Sequence, residues 1–201
     1  MVALGEEVTI FCRSEEEFHG DFYLTRHETS SDGGKTVATK QAESNKAAFS
    51  LTNLNPSDGG IYSCRSHLRE DYQFSSLSEK VYLNLTDPSL TKPSIQIKNQ
   101  EEKSPEAKIS IRCKGTKDLA FALLKSREQI AYKAAEPYKK AVDFLLHQRR
   151  LEEAQSYTCQ YHHKSSPFVW SEPSDPLELP WEVSKTSKPT IKTIPGGSSA
   201  S

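Results

Sequence analysis

The chain has no run of about eighteen apolar residues, no C-x-x-C pair and almost no net charge. The first absence removes a membrane-spanning helix. The second removes the common zinc spacings. A net charge of -1 gives no overall pull toward nucleic acid or an acidic membrane. No G-x-S-x-G, P-loop or H-E-x-x-H occurs, so no catalytic motif is read and the chain is not expected to be an enzyme. Adjacent carboxylates such as Glu152-Glu153 point opposite ways on a strand, which suits a solvated face better than acid/base work. Met1 runs directly into Val2-Ala3-Leu4-Gly5-Glu6-Glu7 without a basic start and apolar core. No secretory leader is read there, which suggests a processed or recombinant fragment.

What is present is a duplicated device. Ser57-Asp58-Gly59-Gly60-Ile61-Tyr62-Ser63-Cys64 has a counterpart in Glu153-Ala154-Gln155-Ser156-Tyr157-Thr158-Cys159. Period-two spacing sends Tyr62 and Cys64 to one face of a strand. A Tyr two residues before a Cys is the tyrosine corner of an immunoglobulin sandwich. Cys12 and Cys64 are 52 residues apart, Cys113 and Cys159 are 46 apart, and no other Cys exists. One disulfide per half is the simplest pairing, and it implies an oxidising compartment. Each closes a loop of about fifty residues, worth on the order of 3 to 4 kcal/mol. Asn84-Leu85-Thr86 is an N-glycosylation sequon that fits secretion.

The halves align throughout. Val8, Ile10 and Cys12 match Ile109, Ile111 and Cys113, and Phe22 and Leu24 match Phe121 and Leu123. Phe22 and Phe121 stand in for the Trp that such a sandwich packs on its disulfide. The fold class is therefore all-β: two tandem immunoglobulin-like β-sandwiches joined by a short bent hinge, with a disordered C-terminal tail. Domain 1 covers 1–87 and domain 2 covers 88–183. The stretch 184–201, rich in Ser, Thr, Lys, Pro and Gly, reads as a stalk or tail. Pro93-Ser94-Ile95-Gln96-Ile97 is an additional strand in the second half. Its equivalent before Cys12 is expected to be largely missing. Two prolines stiffen the connector Asp87 to Pro93, with Leu85 and Leu90 expected to pack there.

Several stretches carry a resemblance. Trp170-Ser171-Glu172-Pro173-Ser174-Asp175-Pro176-Leu177-Glu178-Leu179, the hinge Leu85-Thr86 with Lys92-Pro93-Ser94, and Phe121-Ala122-Leu123-Leu124-Lys125 resemble the immunoglobulin-like receptors of the leukocyte receptor cluster. The second half is most similar to the osteoclast-associated and T-cell-interacting myeloid members. Phe74 stands where the family has Trp. The resemblance implies an acutely bent pair of domains that binds an extracellular protein ligand, with collagen, class I histocompatibility molecules or antibody Fc as classes. It also implies a membrane anchor beyond Ser201 and, for activating members, a signalling adaptor. The localisation expected is the extracellular side of the plasma membrane. The alternative is a secreted plasma glycoprotein of the same domains that sequesters a partner. No cofactor and no nucleic acid are expected.

For the ligand site, the loop from Tyr161 to Phe168 offers Tyr161, His162, Lys164 and Phe168. Its counterpart in the first half offers Arg69 and Tyr72. Tyr and Arg are the types that make interface hot spots, and loops of a sandwich carry binding. The two loops are expected near opposite domain ends. His162 and His163 face opposite sides of a strand, so no shared metal is expected. The last-strand motif reads as structural, with Ser hydroxyls bonding neighbouring backbone. Residues 1–87 hold 8 Lys and Arg against 14 Asp and Glu, and residues 88–201 hold 18 against 13. Lys139-Lys140 and Arg149-Arg150 make the second half basic. Because Glu152-Glu153 dilute that patch, a solvated face is the expectation rather than a site for sulfated glycans.

Overall fold

The structure, a computed structural model, describes residues 1–17, 19–70, 73–101, 107–148 and 155–179. Tyr72, Arg149-Arg150, Glu152-Glu153 and the tail 184–201 lie outside the described residues. The described chain is all-β. Its strands are β1 (Val2–Ala3), β2 (Val8–Arg13), β3 (Gly20–His27), β4 (Lys35–Gln41), β5 (Lys46–Leu51), β6 (Gly60–Leu68), β7 (Val81–Leu83) and β8 (Leu85–Thr86). They continue with β9 (Ser94–Glu101), β10 (Ala107–Lys114), β11 (Leu119–Lys125), β12 (Glu128–Ala134), β13 (Ala141–Gln148), β14 (Gln155–His163), β15 (Val169–Trp170) and β16 (Leu177–Leu179). Among the described residues no helix is long and apolar enough to cross a membrane.

Two cores form, each around one disulfide. The first joins Cys12 to Cys64 and packs Phe22, Leu24, Phe49, Leu54 and Tyr62. It lies between the pair β2-β5 and the sheet β4-β3-β6-β7. The second joins Cys113 to Cys159 and packs Ile111, Phe121, Leu123, Phe144 and Tyr157. It lies between β13-β10-β9 and a larger sheet ordered β1-β8-β15-β14-β11-β12, with β16 on β14. Alternation decides the inward set: Ile109, Ile111 and Cys113 are buried while Lys108 and Lys114 are exposed.

The tyrosine corner differs between halves. The Tyr62 hydroxyl donates to the Asp58 carbonyl at 2.5 Å, closing the corner onto backbone. The Tyr157 hydroxyl donates to the side-chain oxygen of Gln155 at 3.1 Å. The first half has Gly60 where the second has Gln155, and the position matching Asp58, Glu153, lies outside the described residues.

The final strands are held by serine rather than by a continuous ladder. Ser174 N–H donates to the Cys159 carbonyl, and Ser174 Oγ accepts from Cys159 N–H, at 2.8 and 2.9 Å. Ser171 repeats this against Tyr161 at 2.8 and 3.1 Å. In the first half Ser78 serves Cys64 and Ser75 serves Ser66 in the same way. Each serine supplies both a donor and an acceptor from one residue. A chain interrupted by Pro173 can thereby satisfy the strand beside it.

The halves meet at β8. Leu85–Thr86 runs parallel to Val2–Ala3 on one side and to Val169–Trp170 on the other. Leu85 N–H donates to the Phe168 carbonyl and Asp87 N–H to the Trp170 carbonyl, both at 2.8 Å. Leu85 is fully buried in the first core, while Leu90 packs against the second. The Asp87 carboxylate accepts from the N–H and hydroxyl of Ser89, making a compact turn before Pro93. The opening of the chain is not without a strand, as its length before Cys12 suggests. Val2–Ala3 is a short one, placed on β8 rather than beside β2.

Ser174→Ala should cost about 1 to 3 kcal/mol, because a buried Cys159 N–H loses its acceptor. Ser78→Ala should cost less, since Cys64 N–H at that site is closer to solvent. Urea denaturation of both variants checks this, and equal losses would contradict it.

Candidate functional site

The loop residues do not form one surface. Tyr161 is 5% exposed and sits in the second core, its hydroxyl donating to the Thr91 carbonyl at 2.6 Å. His162 is 4% exposed. These two are therefore corrected from surface contacts to packed residues. β14 carries them, and alternation with Cys159 drives Tyr161 inward. Phe168 is half-buried and abuts the first half: a Cβ built on Gly59 would stand 2.9 Å from the Phe168 Cβ. It therefore lies at the junction rather than at a far domain end. Lys164 is exposed, with its ammonium on the Ala135 carbonyl at 2.5 Å. Arg69 is exposed at the end of β6, and Tyr72 lies outside the described residues. Asn84 is partly exposed between β7 and β8.

The structure gathers other residues into two aromatic platforms. On the outer face of β3 and β6, Tyr23 and Phe74 meet edge-on at 5.0 Å. His67 lies 4.7 Å from Phe74, and the Arg65 guanidinium lies 5.4 Å from the same ring. Phe74 is 48% exposed. Sequence reasoning noted Phe74 only as a replaced Trp. A usable signal was present nonetheless: with Phe22 and Leu24 inward, Tyr23 must face solvent, as must Arg65 and His67 opposite Cys64.

The second platform is on the large sheet. Tyr132, 52% exposed, stacks on the His162 ring at 5.8 Å and 15°. Trp170 lies edge-on below His162 at 4.7 Å. The tautomer follows from the partners. Nδ1–H donates to the His163 carbonyl at 2.7 Å, so Nε2 accepts from the Tyr132 hydroxyl at 2.8 Å. Burial pushes the His162 pKa down, which keeps the ring in this neutral form. Tyr132 is thus held in one orientation from beneath. Ile130, two residues earlier on β12, is 43% exposed beside it.

A Ser-His-Asp array also appears in the first half. His27 Nε2 is 2.7 Å from Ser63 Oγ, and Nδ1 is 2.9 Å from Asp32 Oδ1. Ser63 is 2% exposed and His27 fully buried, so the hydroxyl cannot meet a substrate. The array works as a staple for the turn over β3. Asp32 also accepts from the N–H groups of Thr29, Glu28 and Gly34, which hold its carboxyl below the usual range. Gly34 has φ of +69°, and a Cβ there would meet the His27 ring at 2.5 Å. Only glycine lets the turn lie so close.

A third surface is electrostatic. Asp143 accepts from Arg112 at 2.7 and 3.0 Å and from Lys98 at 2.8 Å. The Arg112 guanidinium, with the Lys98 ammonium, holds its carboxyl at about 2. A cleft of about 430 Å³ beside it is lined by Arg112, Lys133, Glu136, Lys139, Lys140 and Asp143.

No family model matches the chain. Over 180 residues it is 36% identical to immunoglobulin superfamily member 1 of Rattus norvegicus, covering 87% of this chain and 12% of that protein. Over 166 residues it is 31% identical to the osteoclast-associated immunoglobulin-like receptor of Homo sapiens, covering 78% of this chain and 56% of the receptor. Over 137 residues it is 25% identical to T-cell-interacting, activating receptor on myeloid cells protein 1 of Mus musculus, covering 66% of this chain and 48% of that protein. The chain spans about an eighth of the first relative and about half of the two receptors.

The Asp143 carboxyl is depressed from an ordinary 3.8 to about 2 on folding. Its stabilising contribution is therefore complete above about pH 3.8 and lost as pH falls through about 2. Thermal unfolding of wild type and Asp143→Asn across acid pH should show a gap at neutrality that closes over that window. A gap independent of pH would refute the ion-pair account.

Proposed function

We propose, from the premise that this chain belongs to the immunoglobulin-like receptors of the leukocyte receptor cluster, that it is the extracellular ligand-binding region of an immune receptor. Two tandem immunoglobulin-like sandwiches meet at a bent hinge around β8 and present their outer sheet faces to a protein ligand. The chain acts by binding rather than by catalysis. Collagen, class I histocompatibility molecules and antibody Fc are the ligand classes, and an adaptor belongs to the rest of the protein, with an anchor beyond Ser201. Asn84 carries an N-linked glycan in this reading, on a partly exposed asparagine.

The observation that carries the proposal is the platform of Tyr132 on His162 and Trp170. Interfaces draw their energy from aromatic anchors fixed before binding, because a side chain already held loses little entropy on contact. Tyr132 meets that description: its ring is half exposed while its hydroxyl is tied to a buried imidazole. Ile130 extends the apolar patch along β12. The platform of Tyr23, His67 and Phe74 is a second contact for an extended ligand.

Surface plasmon resonance against immobilised collagen, class I molecules and Fc tests this. Tyr132→Ala should weaken binding of the recognised class by about 1 to 3 kcal/mol. Tyr161→Phe, which leaves the packed ring in place, should change it far less. Unchanged affinity in a folded Tyr132→Ala chain, with loss on Phe74→Ala, would move the site to the first half. No binding to any of the three would count against the ligand classes.

A further inference from the structure

We infer that the outer face of β9, β10 and β13 is a binding site for a sulfated glycosaminoglycan. The sheet geometry that buries Ile109, Ile111 and Cys113 turns Lys108, Arg112 and Lys114 together to the opposite face. Neighbouring strands enlarge the array. Lys98 reaches it from β9, and His147 lies opposite Lys108 on β13. Lys140 lies beside Lys114, because its carbonyl accepts Gly115 N–H at 2.8 Å where β10 ends. Lys139 and Lys133 line the cleft at the same end.

Two acidic residues share this face with the cations: Glu101 stands opposite Lys108 in the β9–β10 register, and Asp143 stands opposite Arg112 in the β10–β13 register. Asp143 is already engaged by Arg112 and Lys98, and Lys133 Nζ lies 3.4 Å from its carbonyl. Its effect is to fix the Arg112 guanidinium in place, and its ion pairs are with Arg112 and Lys98 rather than with Lys114 or Lys140. Glu136 lines the cleft together with Lys133, Lys139 and Lys140. Glu152 and Glu153, which the sequence sets against this patch, lie outside the described residues.

The arrangement favours a linear polyanion. Cations two residues apart on a strand are roughly 6.6 Å apart, and Lys108 to Lys114 spans roughly 20 Å. A rigid sheet keeps those intervals fixed. A protein partner is a poorer match, because interface cores are depleted in lysine and rich in aromatics. Among the described residues the outward positions of these three strands carry no Phe, Tyr or Trp and Leu145 is their one large exposed apolar side chain, while Tyr138, 81% exposed, lies on the turn beside Lys139. Single-stranded nucleic acid is also a poorer match, because its bases seek aromatic rings to stack on. The aromatic platforms are on the other sheets. Sulfates on a sugar chain need only spaced cations and accept them without base stacking.

The test uses the whole chain over immobilised heparin, with fully desulfated heparin and single-stranded DNA as parallel surfaces. The variant K108S/K114S/K140S should lose about tenfold in heparin affinity. The variant R13S/K35S/K46S, which removes the same charge from the first half, should lose less than about twofold. Both must unfold thermally like wild type; if the first variant does not, Lys108→Ser and Lys140→Ser are measured singly and should each weaken binding. Binding should fall with added salt and be absent on desulfated heparin. Equal losses in the two triple variants would overturn the site. Retention on desulfated heparin, or tighter binding to DNA than to heparin, would overturn the ligand class.

Discussion

Leu85–Thr86 is two residues long, and the relation between the halves depends on it. A strand this short contributes few hydrogen bonds, yet it is paired on both edges. One edge takes Val2–Ala3 and the other takes Val169–Trp170. The side chain of Leu85 is sealed in the first core while its N–H is spent on Phe168 of the second half. Moving one half against the other would break backbone bonds and open a packed leucine together. The Tyr161 hydroxyl on Thr91 and the close approach of Phe168 to Gly59 add to the same joint. Tyr161 and Phe168 thereby take part in the architecture of the joint.

Surface chemistry then divides by sheet. Aromatic rings cluster on the faces of β3-β6 and of β11-β12-β14, while cations collect on β9-β10-β13. The separation has a physical origin in the alternation of each strand. One parity fills a core, so the other parity is available for whatever the outside requires. On β10 that parity is Lys108, Arg112 and Lys114; on β12 it is Ile130 and Tyr132. Polar residues also do covert structural work. His27, buried and satisfied by Asp32 and Ser63, pins a turn, and His162 positions Tyr132 through one hydrogen bond.

Much of the fold was legible in residue spacing. The Cys, Tyr and alternating apolar positions identify the strands that carry the disulfides, because inward parity is a local property. The serine motifs were legible too, since a hydroxyl beside Pro173 can replace a missing ladder partner. The candidate surfaces were not. Tyr161 has the composition of a hot spot, but its parity with Cys159 places it in the core. Tyr132 sits on an unremarkable strand, Glu128–Ala134, and gains significance only from residues 30 and 38 positions away. Asp143 meets Lys98 and Arg112 across strand pairs that no local pattern specifies.

The amino-acid order by itself determined the strand parities, the two Cys pairs and the serine motif of the last strand. Each of these rests on backbone geometry over a few residues or on a count of cysteines. Tertiary structure alone decided that β1, β8 and β15 share a sheet, that Phe168 is a joint residue, and that aromatic and basic faces lie on different sheets. Those outcomes depend on which strands become neighbours, and that is set by the packing of whole faces rather than by any single segment.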